Sequence, residues 1–379
     1  MWSKQLFSYA AVVGVPSATL GCIADYQPRV TVRDIQAQVN ARRTPSPQTK
    51  TVIHNVRVFD GECLTTPQSV IFADGHITAD PAGIETSVDG TGKFLIPGLI
   101  DAHVHVSDLT SLANITSYGV TSILNMVCRT SYATCAALKN NNQTDVVQVF
   151  SADSLVYPNT NLQELVAFAF GNGSDYYKLI AKPASLNQSQ QDTLVSTIQR
   201  KYGRQSMTHA ADTASYKQAI LSRTNGIQHI PDGGLLSPET VAAIKANGQY
   251  VTPTMSVFQY GYTHPANVRI LRRNGVPILA GTDAVGAVTL DIDLPFGSSL
   301  HGELELLHGV GLSPLEALRA GTVETARWHR LDDRGKIKVG KRAGLVLLNS
   351  NPLVNISNTK DIARVWVAGV EVSEVTGLT

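Results

Sequence analysis

Phe94-Leu-Ile-Pro-Gly-Leu-Ile-Asp101-Ala-His103-Val-His105-Val106 is a short apolar run that ends in His-x-His. Side chains along a strand alternate faces, so His103 and His105 point the same way at its end. Two imidazoles on one face make a natural pair of ligands for a divalent metal. Alone, the pair would be read more readily as two ordinary histidines beside a surface turn. The rest of the chain separates the two readings.

Seven more apolar runs follow: Gly119–Val127, Asp145–Phe150, Asp175–Ala181, Gln205–Ala210, Gly226–Ile230, Gln249–Thr254 and Val276–Asp283. They are rich in β-branched residues and bounded by turn signals. His105 and Asp283 lie 178 positions apart over seven intervals, about 25 residues each, the size of one strand–helix unit. Helices are expected in the gaps, over Gln188–Tyr202, Ala211–Arg223, Ser237–Asn247 and His264–Asn274. Eight such units predict an α/β fold, a (β/α)8 TIM barrel with its site at the C-terminal strand ends. His103, His105, Lys178, His209, His229 and Asp283 all fall near those ends.

These motifs together resemble the metal-dependent amidohydrolase superfamily, in the branch of imidazolonepropionase, Xaa-Pro dipeptidases and fungal ochratoxin-type amidase. The resemblance is carried by Pro97–His105, Tyr177-Lys178-Leu, Thr208-His209-Ala, Gln228-His229 and Gly281-Thr-Asp283. It continues through Leu312–Thr322, Asp333–Gly340 and Leu345–Pro352, and so covers nearly all of the chain after residue 52.

The resemblance implies two divalent metal ions, zinc foremost. His103, His105 and Asp283 would hold one, and His209 and His229 the other. It also implies that Lys178 is carboxylated by carbon dioxide, the carbamate bridging both metals. An unmodified ammonium cannot ligate a metal and is repelled by one. Lys182 competes for this role, but it projects from the loop before Pro183. A metal-activated hydroxide would attack a carbonyl, with Asp283 moving the proton to the leaving nitrogen. If one metal is absent, His209 or His229 would help stabilise the developing oxyanion. Tyr157, His301 and Phe296 lie in loops or helix starts after strands, where substrate contact is expected.

The expected function is cleavage of a C–N bond in an amide, N-acyl amino acid, dipeptide or cyclic amide. An ester or lactone hydrolase on the same site is the enzymatic alternative. A metal-less binding protein on the same barrel is the alternative of another class. Composition agrees with a catalytic domain: 43% hydrophobic residues can bury a large core. A net charge of +1 without a basic cluster speaks against nucleic acid or an acidic membrane surface as partner. The expected partner is a small-molecule substrate, with homo-oligomerisation left open.

Lys4 followed by apolar Leu6–Leu20 and Cys22-Ile-Ala24 reads as a signal peptide over residues 1–24, too short to span a membrane. A buried N-terminal helix is the alternative. Residues 25–50 then form a polar segment and linker. Residues 51–95 and 338–375 carry short alternating runs expected to pair as a composite β-sandwich beside the barrel at 96–337. Asn114, Asn142, Asn172, Asn187 and Asn355 head Asn-x-Ser/Thr acceptors, consistent with a eukaryotic secretory route and no membrane in the mature form. In an oxidising compartment Cys128 and Cys135 are a candidate disulfide; two free thiols are the alternative.

Overall fold

The computed structural model describes residues 48–127, 132–141, 145–153, 161–181, 186–258, 265–287, 293–373 and 375. The expected signal peptide, Asn142, Tyr157, Lys182 and Cys128 lie outside these residues.

The strands in chain order are β1 (Thr51–Val58), β2 (Gln68–Ala73), β3 (His76–Thr78), β4 (Thr86–Asp89) and β5 (Phe94–Pro97). Seven strands follow, each adjacent pair separated by helix or turn. They are β6 (Leu99–Val104), β7 (Val120–Asn125), β8 (Gln148–Asp153), β9 (Tyr176–Ile180), β10 (Ser206–His209), β11 (Gly226–Gln228) and β12 (Tyr250–Thr252). A small hairpin, β13 (Gly286–Ala287) and β14 (Asp293–Leu294), precedes the last helices. The chain returns in β15 (Leu345–Leu348), β16 (Ile362–Val367) and β17 (Val370–Glu371).

Strands from both ends of the chain share one eight-stranded sheet, ordered β17-β16-β15-β5-β1-β2-β3 with β4 on β1. The antiparallel β15–β5 pair, with Leu345 opposite Pro97, joins the two ends directly beside β6. Ile53, Val56, Phe72, Leu95, Leu345 and Trp366 form its separate apolar core.

The other seven strands run parallel in sequential order, β12 to β6. Both faces of β6 and β7 are buried, as a helix-covered parallel sheet requires. Local signals start and stop the helices between them. For Gln188–Tyr202, the Asn187 side chain accepts the Gln190 amide, Gln190 reaches back to the Asn187 amide, and Gly203 ends the helix at φ 63°.

Laid flat, seven strands would separate β6 from β12 by roughly 29 Å at about 4.8 Å per step. Instead, adjacent residues of one segment reach both: the Leu279 amide donates to the Val251 carbonyl, and the Ala102 amide donates to Ala280, each over 2.9 Å. The sheet is therefore curled into a TIM-barrel-like α/β fold. The expected eighth strand differs from the prediction. Residues 276–284 form only isolated bridges, Val251 with Ile278 and Val104 with Ala284, so the strands do not run as a continuous ring. Pro277 lacks an amide to donate, and Asp283 has φ 59°, which ends extended structure. Gly281 serves close approach here, since a Cβ would lie 2.6 Å from Thr252 Cγ2 and 2.9 Å from the His103 amide.

Among the described residues no helix is long and apolar enough to cross a membrane. Cys135 is disulfide-bonded and Cys63 is free.

Candidate metal centre

The β strands and residues 276–284 deliver His103, His105, Lys178, His209, His229 and Asp283 to one buried cluster. Asp283 Oδ1 lies 3.1 Å from His103 Nε2 and 2.8 Å from His105 Nε2. Lys178 Nζ lies 3.1 Å from His103 Nε2. Ring centroids are 5.1 Å apart for His103 and His229 and 4.5 Å for His209 and His229.

Among the described residues, ligand atoms of His103, His229 and Asp283 lie within 4.8 Å of one another, close enough for three donors to share one ion. This group draws one histidine from each of the two ligand sets expected from the sequence. Neither carboxylate oxygen of Asp283 has a hydrogen bond of good alignment, although the residue is wholly buried. Buried carboxylates ordinarily find aligned donors, so the imidazole contacts read as ligand atoms converging on a shared point.

Neighbouring groups define the histidine tautomers. His103 Nδ1 lies 2.8 Å from Gln228 Oε1, which can only accept. The Nδ1 proton is thereby assigned, and the lone pair on Nε2 faces Asp283. At His229, Nδ1 lies 2.7 Å from Thr254 Oγ1, whose own proton goes to the Pro253 carbonyl at 2.8 Å. Nδ1 must therefore donate, so Nε2 carries the ring's lone pair. Burial pushes both imidazoles toward the neutral form, further aided by Lys178 at His103 and by His209 at His229. Burial raises the Asp283 carboxyl, and His103 and His105 lower it well below the usual range only when their rings carry charge or a proton toward it, a role that a bound cation takes over once the rings are neutral. Neutral imidazoles with outward lone pairs beside an ionised carboxylate fit a divalent transition metal.

Two expected substrate contacts are corrected. His301 is fully buried, with Nδ1 bonded to Thr359 Oγ1 and Nε2 to the Tyr118 carbonyl. Both ring nitrogens hold the Ser298–Gly309 helix to neighbouring elements, which leaves no polar atom for a substrate. Phe296 belongs to the main apolar core and packs over Gly286, where an added Cβ would approach its ring to 3.2 Å. Its ring fills space within the fold instead of presenting an open apolar surface.

Sequence reading assigned no role to Gln228, Thr254, Asp101, Thr282 or Glu303, all wholly or almost wholly buried. Asp101, Gln228 and Thr282 lie within the segments Pro97–His105, Gln228-His229 and Gly281-Thr-Asp283 that carry the ligands themselves. The missing signal is conformational: His229, Thr254 and Asp283 have φ of 76°, 51° and 59°, which breaks the alternation that locates side chains along a strand.

The amidohydrolase family model matches residues 94–372, and the chain belongs to that family. It is 24% identical over 328 residues to an adenine deaminase of Desulfatibacillum aliphaticivorans, covering 77% of this chain and 53% of that protein. The match therefore spans about half the length of that relative. Identity to an imidazolonepropionase of Shouchella clausii (strain KSM-K16) is 23% over 341 residues, covering 73% of this chain and 75% of the other. Among solved structures, a Xaa-Pro dipeptidase with bound methionine aligns with TM-score 0.71 at 19% identity, over 85% of this chain and 99% of that one. The A. niger ochratoxinase aligns with TM-score 0.69 at 17% identity, over 85% and 95%. Both structures share the fold.

Proposed function

We propose that this chain is a metal-dependent hydrolase that cleaves a C–N bond in an amide, N-acyl amino acid, dipeptide or cyclic amide. The observation that carries the reading is the convergence of ligand atoms of His103, His229 and Asp283 within 4.8 Å, with both histidine tautomers fixed from behind. Family membership and relatives named as a deaminase and an imidazolonepropionase support the bond type. When bound, a divalent metal, zinc foremost, supplies Lewis acidity that makes water nucleophilic near neutral pH and polarises a carbonyl.

The chain's own residues do the rest. His103, His105, His209, His229 and Asp283 would hold two metals. Lys178, carboxylated by carbon dioxide, would bridge them, exchanging a buried cation for an anion beside His103. Asp283, ionised and lacking an aligned donor, takes the proton from the attacking water and delivers it to the departing nitrogen. With only one metal bound, His209 would be left to oppose charge developing on the carbonyl oxygen. Residues 276–284 act in this reading as the eighth strand of a closed (β/α)8 barrel flanked by a β-sandwich.

The chain is further proposed to be secreted and glycosylated. Asn114, Asn172, Asn187 and Asn355 are exposed, as an acceptor must be. The deciding experiment loads metal-stripped protein with Zn²⁺ and measures metal content, then assays N-acyl amino acids, dipeptides, lactams, esters and lactones. About two ions per chain with turnover of a C–N substrate is the expected result. Turnover of esters or lactones alone would move the reading to that bond, and no retained metal would overturn it.

A further inference from the structure

Glu303 is a wholly buried carboxylate on the Ser298–Gly309 helix, and no step above uses it. Burying a carboxyl group is costly unless donors surround it, so its partners carry meaning. Oε1 accepts the Met255 amide at 3.0 Å. Oε2 accepts the Ser256 amide at 2.7 Å and the Ser256 hydroxyl at 2.8 Å. All three donors follow directly on Thr254, whose φ is 51°. A β-branched residue in that region is strained and keeps the conformation only when its surroundings impose it. The Thr254 hydroxyl is the group that holds His229 Nδ1.

We infer that Glu303 is a positioning residue for the metal centre: its carboxylate pins the turn at 254–256 and so keeps Thr254 against His229. The inference rests on the metal-centre reading above. Removing the acceptor would orphan the amides of Met255 and Ser256 and release Thr254 toward ordinary backbone angles. Its hydroxyl would then leave Nδ1, and the His229 ring would lose the partner that sets both its tautomer and its orientation.

The test uses Co²⁺ alone as probe, titrated into the metal-stripped full chain and followed by visible absorption. The variants are Glu303→Leu, Ser256→Ala, Thr254→Val and the Glu303→Leu/Thr254→Val double. Glu303→Leu is expected to weaken Co²⁺ binding about 10–100-fold and to alter the ligand-field spectrum. Adding Thr254→Val should cost little more, because both changes cut the same link. Ser256→Ala, which deletes one donor, should shift affinity and spectrum in the same direction by less. A folded Glu303→Leu with wild-type affinity and spectrum overturns the inference, as do losses that simply add in the double variant. Should Glu303→Leu fail to fold by circular dichroism, an unchanged Ser256→Ala overturns it instead. Wild-type protein that binds no Co²⁺ overturns the metal-centre reading and this inference together, whereas normal wild-type binding beside unaffected variants overturns the inference alone.

Discussion

The Thr282 hydroxyl donates to Asp101 Oδ2 over 2.8 Å, joining residues 181 positions apart where residues 276–284 lie against β6. Asp101 Oδ1 also accepts the amides of His103 and Thr282, each at 3.1 Å. One carboxylate thus ties the backbone that carries His103 to the backbone that carries Asp283. The amides of Thr282 and Asp283 reinforce the tie by donating to the His103 carbonyl at 3.2 and 2.8 Å.

Asp101→Ala should therefore loosen both the fold and the centre. The His103 amide would lose its acceptor, at about 1–3 kcal/mol, and the Thr282 amide and hydroxyl would fall back on their longer bonds to the His103 carbonyl at 3.2 and 3.4 Å. Urea denaturation is expected to report a loss of at least about 2 kcal/mol, and metal content should fall with it. An unchanged midpoint with full metal occupancy would refute the tie.

Asp283→Asn should leave the fold in place, since the side chain keeps its volume. With any substrate the chain turns over, kcat should drop at least about a hundredfold, because an amide neither takes the proton nor ligates as a carboxylate does. A loss under about tenfold would remove Asp283 from proton transfer.

Lys178→Ala should lower metal occupancy, and short carboxylic acids should restore part of the activity by standing in for the carbamate. Native mass spectrometry of the unaltered protein should find an added carboxyl group on Lys178. An active, metal-replete Lys178→Ala protein would dismiss the carbamate.

Burial pushes the Glu303 carboxyl up to about 8 from an ordinary 4.5, against the pull of the Met255 amide and the Ser256 donors. The folded chain thus holds this proton more tightly than the unfolded chain does. The stability it contributes is complete below about pH 4.5 and is lost as pH rises toward 8. Relative to wild type, Glu303→Gln should gain stability across that window and level off above it, whatever its offset at low pH. Parallel pH curves for the two proteins in chemical denaturation would contradict the shift.

Expected and observed helices agree closely where signals are local. Gln188–Tyr202 has its predicted bounds, and Pro238–Ala246 lies within the predicted Ser237–Asn247. Asn187, Ser237 and Gly203 are start and stop residues that act within one helical turn, so they can be read without a partner. The run at Val276–Asp283 shows the reverse. Its apolar pattern suits a strand, but Pro277 and the left-handed Asp283 leave only bridges to β12 and β6.

By itself, the sequence determined the repeating strand–helix order and the residues at the strand ends that cluster as donors. Both follow from spacing along the chain: a 25-residue repeat, and the two-residue alternation that puts His103 and His105 on one face. Only the tertiary structure decided which atoms meet. Gln228 reaches His103 across 125 positions, Thr282 reaches Asp101 across 181, and Glu303 reaches Ser256 across 47. His301 and Phe296 turned inward because neighbours far along the chain filled or bonded to them. Hydrogen-bond partners and packing neighbours are chosen when distant strands and helices come together. At His229, Thr254 and Asp283, a positive φ sets the direction of the side chain, and no residue pattern along the strand records it.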